Sequence, residues 1–130
     1  MIVSRAQGDV TVRVGDRSAQ WQSLIRRGML HSECEGVEYW DLRPGTRLEV
    51  RADHGVEEAV LVISGQLTLF ENELSSAVAD AGDLLLIPHG VDGELRTGDH
   101  PATAVMVRGL PAAVASRLPR RIPELPPTGR

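Results

Sequence analysis

Two residues of the chain combine a titratable ring with a carboxylate at short range. His54 and Glu58 lie four positions apart, within residues 44–65, PGTRLEVRADHGVEEAVLVISG. A carboxylate near an imidazole orients the ring and raises its proton affinity, while partial burial favours the neutral carboxylic acid. Such a pair shuttles protons in enolisation, dehydration, cyclisation or isomerisation. The alternative is a non-catalytic pair, satisfied by each other and by water. His31, Glu33 and Glu35 recur at every second residue and either line one face or sit on a solvated edge. Cys34 reads as a small, partly buried thiol with nothing beside it to activate it. His100, in the turn Gly98-Asp99-His100-Pro101, is expected to be exposed.

The elements around His54 and Glu58 decide where they point. Leu48, Val50, Ala52 and His54 alternate with Arg47, Glu49, Arg51 and Asp53, which predicts a half-buried strand running through His54. After the tight connection Gly55-Val56-Glu57, the apolar run AVLVIS predicts a second strand that starts with Glu58 facing inward. One buried surface then receives both groups.

Further strands are expected over residues 2–5, 10–14, 18–21, 37–42, 66–70, 77–79, 84–87, 93–97 and 103–108. Turns are expected at Gly15-Asp16, Pro44-Gly45, residues 72–76, Ala81-Gly82-Asp83 and Pro88-His89-Gly90. Residues 21–30 match neither period and read as a turn of helix or a loop. Many short strands separated by turn signals indicate an all-β antiparallel sandwich or barrel. The organisation divides into N-terminal strands over 1–36, which pair with the sheet or exchange with a partner subunit, a barrel core over 37–109 and a tail over 110–130. Five of the eight prolines lie in that tail, so one or two helical turns over 112–118 should give way to extended chain. The tail reads as a surface strap over the protein or a neighbouring subunit, with a Pro-rich recognition ligand as the alternative.

With 130 residues the chain is one domain able to bury a real core. It carries 25 % charged residues in mixed sign and a net charge of −4, which argues against a dedicated nucleic-acid or membrane-surface protein. A single cysteine excludes an internal disulfide framework and fits a reducing compartment. No apolar run approaches the roughly 20 residues that span a bilayer, and residues 1–10 lack the apolar region of a signal peptide. A soluble, cytoplasmic protein is expected.

These residues resemble the cupins. The first motif of that family is a Pro-Gly turn, His-x-His, a short spacer, Glu, six residues and Gly; Pro44-Gly45, His54, Glu58 and Gly65 follow it. The second motif is Gly, five residues, Pro-x-Gly, two residues, His, three residues and Asn; Gly82-Asp83, Pro88 and Gly90 match its first half. The resemblance covers roughly residues 37–108 and implies a double-stranded β-helix, a jelly-roll barrel with little helix and a ligand cavity at one end. It also implies a metal held by three histidines and the glutamate. Here the first histidine is Ala52, the second-motif histidine falls on Gly93 and its asparagine on Thr97. Only His54 and Glu58 remain as metal ligands, with Asp92 or His89 as candidate replacements, so the cofactor is none or a weakly bound divalent metal.

The cavity that the resemblance implies adds substrate-binding candidates: Tyr39 and Trp40, of which alternation turns one inward, together with His89 and Asp92. An inward ring suits a planar organic ligand or plain core packing. The expected protein binds a small organic molecule with His54 and Glu58 as its acid–base pair. It belongs to secondary metabolism as a cyclase, isomerase or dehydratase, and works as a homodimer. One alternative is a non-catalytic ligand-binding or regulatory cupin. Another is a metal-dependent oxygenase or epimerase with atypical ligands.

Overall fold

A computed structural model of the chain describes residues 10–15, 17–27 and 33–119. The expected strand over 2–5, the residue His31 and the tail beyond Pro119 lie outside the described residues. Ten strands and one short helix follow in order: β1 (Val10–Val14), β2 (Arg17–Arg26), β3 (Gly36–Leu42), β4 (Arg47–Val50), β5 (Glu57–Ser64), β6 (Gln66–Glu71), β7 (Leu74–Asp80), β8 (Leu84–Ile87), β9 (Gly93–Arg96), β10 (Ala102–Gly109) and α1 (Ala112–Ala115). A six-stranded sheet in the order β1-β2-β3-β10-β5-β8 faces a four-stranded sheet in the order β4-β9-β6-β7. Every pairing is antiparallel.

Alternation along the strands builds the core between the sheets. β5 turns Val60 and Val62 inward, β10 turns in Ala102, Ala104 and Met106, and the facing sheet contributes Leu67, Leu69 and Leu95. All of these are buried. Emptying a fully buried leucine or methionine site costs about 2–5 kcal/mol, so this layer is what holds the sheets face to face. β5 passes to β6 through Gly65 alone. Its φ is +77°, and a Cβ there would come within 2.2 Å of the Pro101 carbonyl oxygen, so only glycine fits the corner. Thr97 is buried beside the Pro44-Gly45 turn, where its hydroxyl accepts from the Thr46 N–H at 2.8 Å and donates to the Arg43 carbonyl at 2.7 Å.

The structure departs from expectation in three places. The strand expected to run through His54 stops at Val50, and residues Ala52–His54 form a single 3-10 turn. Three features favour that turn over extension: Arg51 grips Asp53 at 2.7 and 2.9 Å, Asp92 accepts from the Ala52 N–H at 2.7 Å, and Gly55 closes the turn at φ +71°. Residues 21–26, expected as loop or helix, continue β2. A register shift between Ser23 and Ile25 against β3 breaks the period of two and hides the strand. The turn expected over 72–76 narrows to Asn72 and Glu73, both at positive φ, and β7 starts at Leu74. Within the chain, β1 and β2 extend the main sheet through β3. No helix among the described residues is long and apolar enough to cross a membrane.

Candidate functional site

β3 and β10 pair directly, and each carries a charged residue on its core face. On β3 the inward set is Glu38, Trp40 and Leu42; on β10 it is Ala102, Ala104, Met106 and Arg108. Arg108 is also the direct cross-strand partner of Glu58 on β5, which brings the two side chains into neighbouring positions on one face. A cavity of about 710 Å³ opens here, between the β1–β3 end of the large sheet and β4 of the other. Trp21, Glu38, Trp40, Leu48, His54 and Arg108 line it.

Glu38 is the centre of a small polar network. Its Oε2 accepts from Trp21 Nε1 at 2.6 Å, and its Oε1 lies 3.2 Å from Arg108 Nε. That second contact is an ion pair without hydrogen-bond alignment. Glu38 Oε1, Arg108 Nε and Trp40 Nε1 are the buried side-chain polar atoms left without a hydrogen-bond partner among the described residues. All three belong to residues that line the cavity, and a buried polar atom without a partner calls for a water, an ion or a functional role to account for it.

Glu58 is 7 % exposed and has no hydrogen bond or ion pair among the described residues. Burial pushes its pKa up, and the nearby charge of Glu38 adds to the rise; Arg108 and His54 work in the opposite direction. Desolvation prevails, so this carboxyl holds its proton more tightly than an exposed glutamate does.

His54 lines the cavity from the 3-10 turn and is exposed to solvent. It reaches Glu58 electrostatically but makes no hydrogen bond to it. The expectation that both groups enter the same buried surface from two strands is therefore corrected. One is buried on β5 and the other stands at the rim, because the strand that was to carry His54 ends four residues earlier.

The remaining candidates separate. Trp40 faces inward and lines the cavity, while Tyr39 takes the outer face of β3, opposite Val105 and Gln22. Asp92 is exposed outside this cavity, where its carboxylate holds the Ala52 N–H. His89 is exposed in the turn after β8. Glu35 is exposed, as is Glu33, which pairs with Arg27 at 3.2 Å. The Cys34 thiol is half-buried, donates weakly to the Arg108 carbonyl at 3.8 Å, and has its pKa raised by burial, so it stays an unreactive thiol.

Sequence reasoning missed Trp21, Glu38 and Arg108. The signal was present for two of them: alternation places Glu38 in phase with Trp40 and Leu42, and Arg108 in phase with Ala104 and Met106. A charge on a core-facing position is rare unless paired. The phase of Trp21 was obscured by the irregular end of β2.

The residues present do not fit the metal that the cupin resemblance implies. A Cβ on Gly93 would come within 2.3 Å of the Phe70 carbonyl oxygen, so no side chain can take the position of the second-motif histidine. Asp92 is engaged elsewhere, and the guanidinium of Arg108 stands across the strand from Glu58. Among the described residues no group of three or more His, Cys, Asp or Glu side chains is placed to hold a metal ion.

No family model matches the sequence, and no curated protein matches it with significance. Solved structures do resemble it. A predicted oxalate decarboxylase from Thermotoga maritima superposes with a TM-score of 0.70 at 16 % identity, over 85 % of this chain and 100 % of that one. A Cupin 2 conserved barrel domain protein from Salinispora arenicola gives 0.61 at 18 % identity, covering 81 % of this chain and 85 % of the other. An uncharacterized conserved protein with a double-stranded beta-helix domain from Klebsiella pneumoniae gives 0.59 at 20 % identity, with 78 % and 85 % covered. The chain thus has the all-β, double-stranded β-helix fold of the cupins, a barrel built from two antiparallel sheets.

Proposed function

We propose that this cupin-fold chain is an enzyme acting on a small organic molecule, an isomerase, cyclase or dehydratase of secondary metabolism. The observation that carries the reading is Glu58: a buried carboxyl whose pKa burial raises, set across the strand from Arg108, which lines a cavity walled by two tryptophans.

In this mechanism a planar, polyketide-like substrate lies against Trp21 and Trp40. Glu58 gives a proton to the substrate as general acid, and Arg108 steadies the carboxylate that remains. His54, at the rim, takes a proton from the substrate and exchanges it with solvent. Positioned acid–base groups of this kind contribute typically 10²–10⁴-fold in rate. The donor set around Glu58 gives a metal no part in these steps.

The test is solvent exchange. The protein is incubated in D₂O with enolisable cyclic ketones, and deuterium incorporation is followed by NMR. Exchange that depends on protein and disappears in Glu58→Gln supports the proposal; His54→Ala with turnover intact removes His54 from it. A second reading, a non-catalytic ligand-binding or regulatory barrel, draws on the missing hydrogen bond between His54 and Glu58. Tight ligand binding with no protein-dependent exchange would favour it.

A further inference from the structure

The polar cluster at Glu38 is not the end of the cavity. Trp21, Glu38 and Arg108 also wall a second hollow of about 370 Å³, whose lining includes Ser23, Arg26, Glu35 and Gly36. The three residues thus stand as a shared wall between two compartments.

The register of β2, β3 and β10 gives both compartments one floor. Directly paired residues carry their side chains on the same face of a sheet. Trp21, Trp40 and Ala104 form one such row, and Ser23, Glu38 and Met106 the next. Past the register shift in β2, the third row is Arg26, Gly36 and Arg108. From Trp40 to Gly36 the floor runs along β3 for about 13 Å, four residues of extended chain. An aromatic row gives way to a polar one, and then to two arginines with a glycine between them.

We infer that the second hollow receives a neutral, hydroxylated arm of a substrate whose planar head lies on Trp21 and Trp40. The inference rests on the planar substrate proposed above and extends it. Three observations select this arm. The floor continues for two rows beyond the tryptophans, so a head seated on them leaves the second hollow to be filled. The charges that line the hollow are balanced, Arg26 and Arg108 against Glu35 and Glu38, so an ion of either sign meets a like charge there. A hydroxyl donates and accepts without adding a charge. The shared wall itself is under-bonded: Glu38 Oε1 and Arg108 Nε lie 3.2 Å apart, yet neither has a hydrogen-bond partner among the described residues. A hydroxyl that enters as the guanidinium turns aside donates to the first and accepts from the second, and both bonds are charge-assisted. An aliphatic arm would leave the same groups buried without partners.

Isothermal titration calorimetry on the full chain tests this with probes that share one head: 2-naphthol, 2-naphthyl β-D-glucopyranoside, 2-naphthoxyacetate and 2-propoxynaphthalene. The glucoside is expected to bind at least about 10-fold more tightly than each of the others, the gain that one charge-assisted hydrogen bond supplies. Ser23→Leu narrows the second hollow and should remove that preference. Ser23 is exposed, so the far-ultraviolet circular dichroism of the variant should not change. A glucoside that binds no better than 2-naphthol overturns the inference and leaves the planar-substrate reading standing, with the hollow holding water alone. A preference for the carboxylate or the propyl arm also overturns it, as does a preference for the glucoside that survives Ser23→Leu. Failure of every probe to bind overturns the arm and the planar head together. Binding is read without turnover, so a negative solvent-exchange result leaves this test intact.

Discussion

Glu38 and Arg108 meet inside the barrel, with Glu38 Oε1 3.2 Å from Arg108 Nε and the other carboxylate oxygen held by Trp21. The side chains are 12 % and 27 % exposed, so the pair is largely removed from water. Such a pair adds little net stability, yet removing one partner is costly because the other charge stays buried and uncompensated. Arg108→Leu leaves two carboxyl groups, Glu38 and Glu58, without their cation. The expected loss is roughly 2–4 kcal/mol in urea denaturation, with the double variant Arg108→Leu/Glu38→Leu recovering part of it. A loss in the double variant equal to the sum of the losses in Arg108→Leu and Glu38→Leu alone would show that the pair is not coupled.

The raised pKa of Glu58 gives a pH dependence of defined sign. The folded protein holds this proton more tightly than the unfolded chain, whose glutamates titrate near the ordinary value of 4.5. Its contribution is therefore fully present below that value and is lost as pH rises through the folded pKa. Glu58→Gln lacks this loss, so its stability relative to wild type should increase from pH 4.5 toward neutrality. Thermal melts of both proteins across that range measure it, and a flat or falling difference would contradict the raised pKa.

Asp92 holds the turn that carries His54. Replacing it by alanine removes the acceptor of the Ala52 N–H and should cost about 1–2 kcal/mol. The His54 ring resonances should broaden or shift in the same variant. Asp92→Asn keeps an acceptor oxygen and should preserve both readouts, which separates the hydrogen bond from the charge.

Gly93 offers a check on the missing metal site. Gly93→His should not restore metal binding, because the Cβ meets the Phe70 carbonyl before any ring can be placed. The expected effect is a loss of about 1–3 kcal/mol from overpacking at the β9–β6 pairing. Isothermal titration of the variant with Zn²⁺ or Mn²⁺ should show no stoichiometric site.

The barrel was legible because a period of two survives wherever a strand has one wet face. Val60 and Val62, or Ala104 and Met106, announce their direction without help from distant residues. The place of His54 was not legible, since the turn that lifts it to the rim depends on Asp92, 40 positions away from the Ala52 N–H that it holds. Trp21 closes the strand expected over 18–21, but the register shift between Ser23 and Ile25 removes the alternation beyond it that would have given its direction. Glu38 and Arg108 were in phase with buried neighbours, and each lacked only the sight of the other across the β3–β10 ladder.

The protein has two tryptophans, Trp21 and Trp40, and both line the cavity. Its tryptophan emission therefore originates wholly at the site. The two indoles are inequivalent: one N–H is bound to a carboxylate and the other has no partner among the described residues. An occupant that quenches one before the other would report which wall it touches. The molecule is thus its own optical sensor, and a search for what fills the barrel needs no label.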